Sequence, residues 1–260
     1  MTSQFGSERL SLQDYAEAIR HLMVDDTTTT PLGTMAAQKN EMAPQLAYGR
    51  HRGPVPATAR SAAVLIALYF DAQLGWVVPL TRRPEHLEHH PGQICFPGGQ
   101  VEKGEAPVAA ARREFQEELG VASDQAIVVG ELTPTYVYAS NNYVRSFVAL
   151  MPPPAVDWSP DRYEVAEVIE FPLQNLSDPN AKILMTQSIS VHSREAGASA
   201  KTLNTLREGF FDQLADNAGS SLNFSTPAFL FQEHKVWGAT AMLLHELACR
   251  LTPTLLTPPS

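Results

Sequence analysis

The chain has 260 residues, enough for one large domain with a real core and no need of disulfides. Apolar residues make up 44% and charged residues 18%, the balance of a globular protein, and a net charge of −9 excludes a duplex nucleic-acid binder, which needs a basic face. Two cysteines, Cys95 and Cys249, make no disulfide framework, and with no basic-then-apolar leader and no apolar run longer than Ala62 to Phe70, the expectation is a cytoplasmic protein that neither spans nor binds a membrane.

In chain order, Leu10, Leu12, Tyr15, Ile19, Leu22 and Met23 recur at helical spacing and predict an amphipathic helix over 10–24. A polar and then proline-bearing stretch follows, so residues 1–60 read as this helix plus an extended connector. The run SAAVLIALYF (61–70) predicts a buried strand, and GWVVPLT (75–81) its hairpin partner. Residues 82–99, with three prolines and three glycines, read as a loop. A helix is predicted over 106–119, with Pro107 in its first turn and Gly120 as its stop. Strands are predicted over 126–137, 143–151, 163–171, 183–192 and near 226–233, and a last helix over 238–251. Leu203, Leu206, Phe210 and Leu214 give an insertion at about 193–222 a helical stripe. The reading is a domain over 61–252, a sheet covered by helices, and a loose tail at 253–260.

The helix over 106–119 carries the chemistry. At about 100° per residue, Glu114, Glu117 and Glu118 share one face, while Val108, Ala111, Phe115 and Leu119 share another offset by about 110°. One side can anchor in a core while the other presents three carboxylates. Like charges at this spacing repel, and a hard divalent cation such as Mg²⁺ removes that penalty. The plainer alternative is a solvated acidic face. Against it stand the Gly98–Gly99 turn before the helix, which lets a phosphate approach the backbone, and Glu105 and Arg113 at fixed spacing.

From Gly99 through Glu105 to Arg113-Glu114-Phe115-Gln116-Glu117-Glu118-Leu119-Gly120-Val121, 23 positions in all, the sequence resembles the signature box of the Nudix hydrolases. Phe115 departs from it, standing where the family usually has Ile, Leu or Val. The resemblance implies an α+β fold, an α/β/α sandwich around a mixed sheet, here with an N-terminal helix and a helical insertion. It implies Mg²⁺, or Mn²⁺ in its place, held by Glu114 and Glu118. Glu117 would be a further ligand or the group that orients or deprotonates water, and the Gly99 carbonyl an additional ligand. Glu105 and Arg113 would brace the loop and helix. A later carboxylate, Glu164 or Glu167, would be able to reach the metal.

Upstream, Leu80-Thr81-Arg82-Arg83 and His90-Pro91-Gly92-Gln93-Ile94-Cys95-Phe96-Pro97-Gly98-Gly99 are similar to the segment that precedes the box in the coenzyme A pyrophosphatase branch. Pro84 departs from a usual Ser, and Glu88 from a frequently basic residue, where a carboxylate repels phosphate. Downstream, Glu164-Val165-Ala166-Glu167-Val168 and Val236-Trp237-Gly238-Ala239-Thr240-Ala241 are similar to the same branch. The implied reaction is hydrolysis of coenzyme A or acyl-CoA to 3′,5′-ADP and (acyl-)4′-phosphopantetheine. Arg82, Arg83, His90 and Gly98 are the substrate-binding candidates, and the partner is a small nucleotide.

Two other readings compete. One keeps the chemistry and changes the substrate to ADP-ribose, NADH or a dinucleoside polyphosphate; the other is a binding protein without turnover, against which all five charged box residues stand. Zinc at His86, His89 and His90 with Glu85 and Glu88 is disfavoured, because Pro84 and Pro91 bracket them in a loop. Cys95 reads as a buried small residue. The apolar stripe of the insertion reads as packing on its own domain, with a substrate lid or a homodimer contact as alternatives.

Overall fold

The computed structural model describes residues 11–23, 40–43, 55–87, 90–137, 140–190 and 221–251. The apolar stripe of the insertion, Glu88, His89 and the tail lie outside the described residues. The elements are α1 (Leu12–Met23), β1 (Arg60–Asp71), β2 (Gly75–Arg82), β3 (Ile94–Cys95), β4 (Gly98–Gln100), α2 (Pro107–Leu119), β5 (Ile127–Glu131), β6 (Thr135–Val137) and β7 (Asn142–Leu150). They continue with β8 (Glu167–Pro172), two short 3₁₀ turns, β9 (Lys182–Ser190), β10 (Ser221–Phe231), β11 (His234–Trp237) and α3 (Gly238–Leu251).

The larger sheet is mixed. β1 runs parallel to β7, and the other pairings are antiparallel, in the order β3-β2-β1-β7-β5 with β8 beside β2. The β1–β2 hairpin pairs only near its turn, from Tyr69↔Val77 to Asp71↔Gly75. Beyond that the strands diverge: β3 takes up the end of β2 at Thr81↔Cys95, and β4 takes up the start of β1 at Ala63↔Gly99. The segment read as loop over 82–99 therefore contains two short strands. They are too brief to show a period in the sequence and are held by pairing alone. A second sheet, β11-β10-β9, is antiparallel. Within the described residues of the predicted insertion, β10 already begins at Ser221.

β1 explains why 61–70 reads as an unbroken apolar run: it is covered on both faces. Ala63, Leu65, Ala67 and Tyr69 meet Ala110, Ala111, Phe115 and Leu119 of α2. Ile66 and Leu68 turn to the other side, into a core with Ile19 and Met23 of α1 and Leu243, Leu244 and Leu247 of α3. The result is an α/β/α sandwich with α2 alone on one face. Two predicted strands come out shorter. The stretch 126–137 is broken between β5 and β6 at Leu132–Pro134, where proline has no N–H for the ladder. The stretch 163–171 begins only at Glu167, because Asp161 to Ala166 form a turn in which Val165 donates its N–H to the Asp161 carbonyl at 2.7 Å.

α2 starts on Pro107 and ends as predicted, with Gly120 at φ 68 and its N–H on the Gln116 carbonyl. Phe115 is fully buried, edge-on to Trp158 with ring centroids 6.4 Å apart. Here the box departure is a packing choice, the larger ring being accommodated by Trp158. Phe115→Ala should cost about 3–5 kcal/mol of stability and Phe115→Leu less than about 1.5. Urea unfolding checks this, and equal midpoints for the two variants would contradict it.

Candidate active site

The site lies where α2 meets β4. Glu118 is buried at 4% exposure, its carboxylate accepting the Gly98 N–H at 3.3 Å. Glu114 sits against Gly99 so closely that a Cβ there would fall 2.4 Å from the Glu114 carboxyl carbon. At Gly98 the close approach is to β1, where a Cβ would fall 2.3 Å from the Ala63 carbonyl oxygen, so both glycines keep β4 tight, one on the strand and one on the Glu114 carboxylate.

The brace is formed. Arg113 donates from Nε and a terminal nitrogen to the two Glu105 oxygens at 3.0 and 3.1 Å, a two-pronged pair. It also donates to the Gln100 carbonyl at 3.2 Å, to Glu114 at 2.9 Å and to Glu117 at 3.0 Å. Hydrogen bonding to Arg113 holds the Glu105 carboxyl below its usual range. Glu117 is the most open of the three helix carboxylates, with 57% of its side chain exposed.

Burial pushes Glu118 up to about 8; the Gly98 N–H opposes this, and the charges of Glu114 and Glu164 reinforce it. Burial also raises Glu114, which feels Glu117 and Glu164. Glu164 therefore lies within the field of the helix carboxylates. Glu167 is held by Arg82, whose Nε donates to it at 2.8 Å. Of the two later carboxylates, Glu164 is the one whose charge acts on Glu114 and Glu118.

The two arginines also separate. Successive residues of a strand point to opposite faces. Arg82 pairs in register with Glu167, on the α1/α3 side. Arg83, the next residue, lies on the α2 side, where its charge acts on both Glu118 and Cys95. Its Nε is buried without a hydrogen-bond partner. His90 stands at φ 56 in the turn that returns to Arg83, where the Gly92 N–H reaches the Arg83 carbonyl at 3.1 Å. Cys95 is half-buried, and burial first, then Glu118, push its thiol up to about 11. His86 and Glu85 are exposed.

Among the described residues, no three His, Cys, Asp or Glu side chains are grouped as a ready metal cage, Arg113 holding Glu114 and Glu117. The donor chemistry nevertheless fits a hard divalent cation. Glu118 is buried and Glu114 half-buried, the charge of the exposed Glu164 acts on both, and a hard cation offsets the cost of charge on carboxylates so placed. Among the described residues, no helix is long and apolar enough to cross a membrane. No local spacing marks His234, a buried imidazole whose Nε2 lies 3.4 Å from Glu167, since the two meet through the packing of separate sheets.

A carboxylate-lined helix behind a Gly-Gly strand and braced by an Arg–Glu pair defines a hydrolase site for phosphate anhydrides. The NUDIX domain family model matches residues 59–189, and the chain belongs to the Nudix family of hydrolases, which act on nucleoside diphosphate derivatives. It is 38% identical over 115 residues to the "Uncharacterized Nudix hydrolase NudL" of Enterobacter sp. (strain 638), covering 44% of this chain and 58% of that protein. To the protein of the same description from Salmonella paratyphi B it is 31% identical over 193 residues, covering 74% of this chain and 83% of that one. Among solved structures it is similar to a C. elegans Ap4A hydrolase binary complex, at 22% identity and a TM-score of 0.36, over 44% of this chain and 80% of that one.

Two outcomes follow. Without metal, folded Glu118 keeps a proton that the unfolded chain has lost from the ordinary carboxylate range up to about 8. The folded state binds more protons across that window, so stability falls as pH rises through it. In EDTA the melting temperature should decline between about pH 5 and 8, and less steeply in Glu118→Gln. Calorimetry reads the two slopes, and parallel slopes would refute the assignment. Gly99→Ala should displace Glu114 and lower kcat by about 10- to 100-fold with the protein still folded, as steady-state assay and circular dichroism would show.

Proposed function

We propose that the chain hydrolyses the diphosphate bond of coenzyme A or acyl-CoA, releasing 3′,5′-ADP and (acyl-)4′-phosphopantetheine. The observation that carries this reading is that Arg83 acts on Glu118, whose carboxylate takes the Gly98 N–H while its neighbour Glu114 packs on Gly99. A cation and two carboxylates thus gather beside a backbone that a phosphate can approach. Arg83 belongs to the upstream segment that is similar to the coenzyme A branch, which ties the recognition segment to the reacting site.

Glu114 and Glu118 would hold Mg²⁺, or Mn²⁺, with Glu117, Glu164 and the Gly99 carbonyl as further oxygen donors. Such an ion supplies charge neutralisation of the diphosphate and polarisation of water. Arg83 binds a substrate phosphate and, with Gly98, sets the diphosphate along β4. Glu117, the open carboxylate, orients the attacking water and takes its proton. Arg113 holds Glu117 toward the site through its contact at 3.0 Å, and its Glu105 pair keeps the β4–α2 turn in place. His90 lines the recognition turn.

The test is product identification with coenzyme A, ADP-ribose, NADH and dinucleoside polyphosphates under Mg²⁺ or Mn²⁺. The expected result is 3′,5′-ADP from coenzyme A at the highest kcat/KM, with Glu118→Gln lowering kcat by at least about 100-fold. Faster turnover of ADP-ribose or NADH would move the assignment to another Nudix substrate. Glu118→Gln with unchanged Mg²⁺-dependent turnover would overturn the ligand set.

A further inference from the structure

His234 sits at the start of β11, in the second sheet, and is 7% exposed. A buried imidazole needs a polar partner. Its Nε2 lies 3.4 Å from Oε1 of Glu167, and Oε2 of the same carboxylate takes the Arg82 Nε at 2.8 Å. The carboxylate thus joins two groups, one from each sheet. Its other attachments are backbone: Arg82 and Glu167 are register partners, and the Ala166 N–H donates to the Arg82 carbonyl at 2.8 Å.

Arg82 is the last residue of β2, and Arg83 is the first beyond it. The strand end that carries this seam also carries Arg83, and backbone alternation sends its Cα–Cβ bond to the face opposite Arg82. That face holds Glu118, and there the Arg83 side chain hydrogen-bonds Cys95 while its buried Nε has no hydrogen-bond partner among the described residues. A buried N–H left free beside a carboxylate is costly unless a ligand completes it, so the site is sensitive to how that strand end is held. The second sheet is firmly seated for that purpose. Thr240, on the helix that follows β11, donates its hydroxyl to the Ile94 carbonyl at 3.0 Å, and Ile94 is the register partner of Arg82.

We propose that His234 is a positioning residue for substrate binding, bearing on Glu167 and Arg82 so that Arg83 is aimed at the phosphate held over the carboxylate cluster. The inference rests on the reading of Arg83 as the phosphate-binding cation. It is independent of which nucleotide is the natural substrate.

The experiment measures binding of imidodiphosphate, a diphosphate that is not hydrolysed, with Mg²⁺ by calorimetry of the full chain. His234→Ala should weaken binding about tenfold, and His234→Gln, which keeps an N–H near the Nε2 position, should recover most of it. Glu167→Gln should weaken binding to a similar degree. In an Arg83→Ala background, His234→Ala should have no further effect, because the group it aims is gone. A purely structural role would give the same loss in both backgrounds, and that result overturns the proposal. So does unchanged affinity in His234→Ala and Glu167→Gln, or a wild type that does not bind imidodiphosphate. If His234→Ala does not fold, Glu167→Gln with and without Arg83→Ala decides on the same criterion. The coenzyme A reading fails separately, when the wild type binds the probe and releases no 3′,5′-ADP from coenzyme A.

Discussion

Two glutamates one helical turn apart, Glu114 half-buried and Glu118 buried, lie side by side, and the charge of the exposed Glu164 acts on both. That is an unfavourable arrangement, and the architecture around it exists to keep it. Phe115 and Leu119 anchor the helix on β1, so the carboxylates cannot rotate to solvent. Gly98 lets β4 lie close on β1, and Gly99 lets it lie close on the Glu114 carboxylate. Arg113, tied to Glu105 and the Gln100 carbonyl, places one cation at the rim, while at the buried end the charge of Arg83 acts on Glu118 without outweighing its burial. Stored repulsion of this kind is an affinity for a divalent cation, and through it for a diphosphate.

Strand alternation divides the remaining polar groups between two jobs. Facing α2, Arg83 and Cys95 surround the carboxylates, and only Arg83 has the charge to meet a phosphate. Facing the other way, Arg82, Glu167 and His234 form a polar seam between the larger sheet and the second one. Adjacent in sequence and alike in chemistry, Arg82 and Arg83 do different work because a strand gives them opposite faces. The opening of the β1–β2 hairpin matters as much, since it makes the wedge into which β3 and β4 bring the Gly-Gly strand.

Most of the catalytic helix was legible in advance. A 3.6-residue period separates its apolar face from its acidic one, Pro107 and Gly120 mark its ends, and Glu105 and Arg113 meet because a turn and two helical turns fix their separation. The hairpin was legible from two apolar runs around a tight turn. Shorter elements were not. β3 and β4 span two and three residues, β6 three, and no period exists at that length. The strand expected over 163–171 lost its first residues to a turn that closes on Asp161 and brings Glu164 to the site.

What the sequence by itself determined is therefore everything carried by local spacing: the helix phase, its caps, the carboxylate face, the Gly-Gly approach and the family's box. The assembly of the sheets put Arg83 and Glu164 where their charges act on Glu118, and brought Arg82, Glu167 and His234 together on the other face. The physical reason is that spacing along one element sets directions relative to that element alone. Which face of a strand becomes the active face, and which distant side chain closes an ion pair, depends on how separate sheets and helices come together.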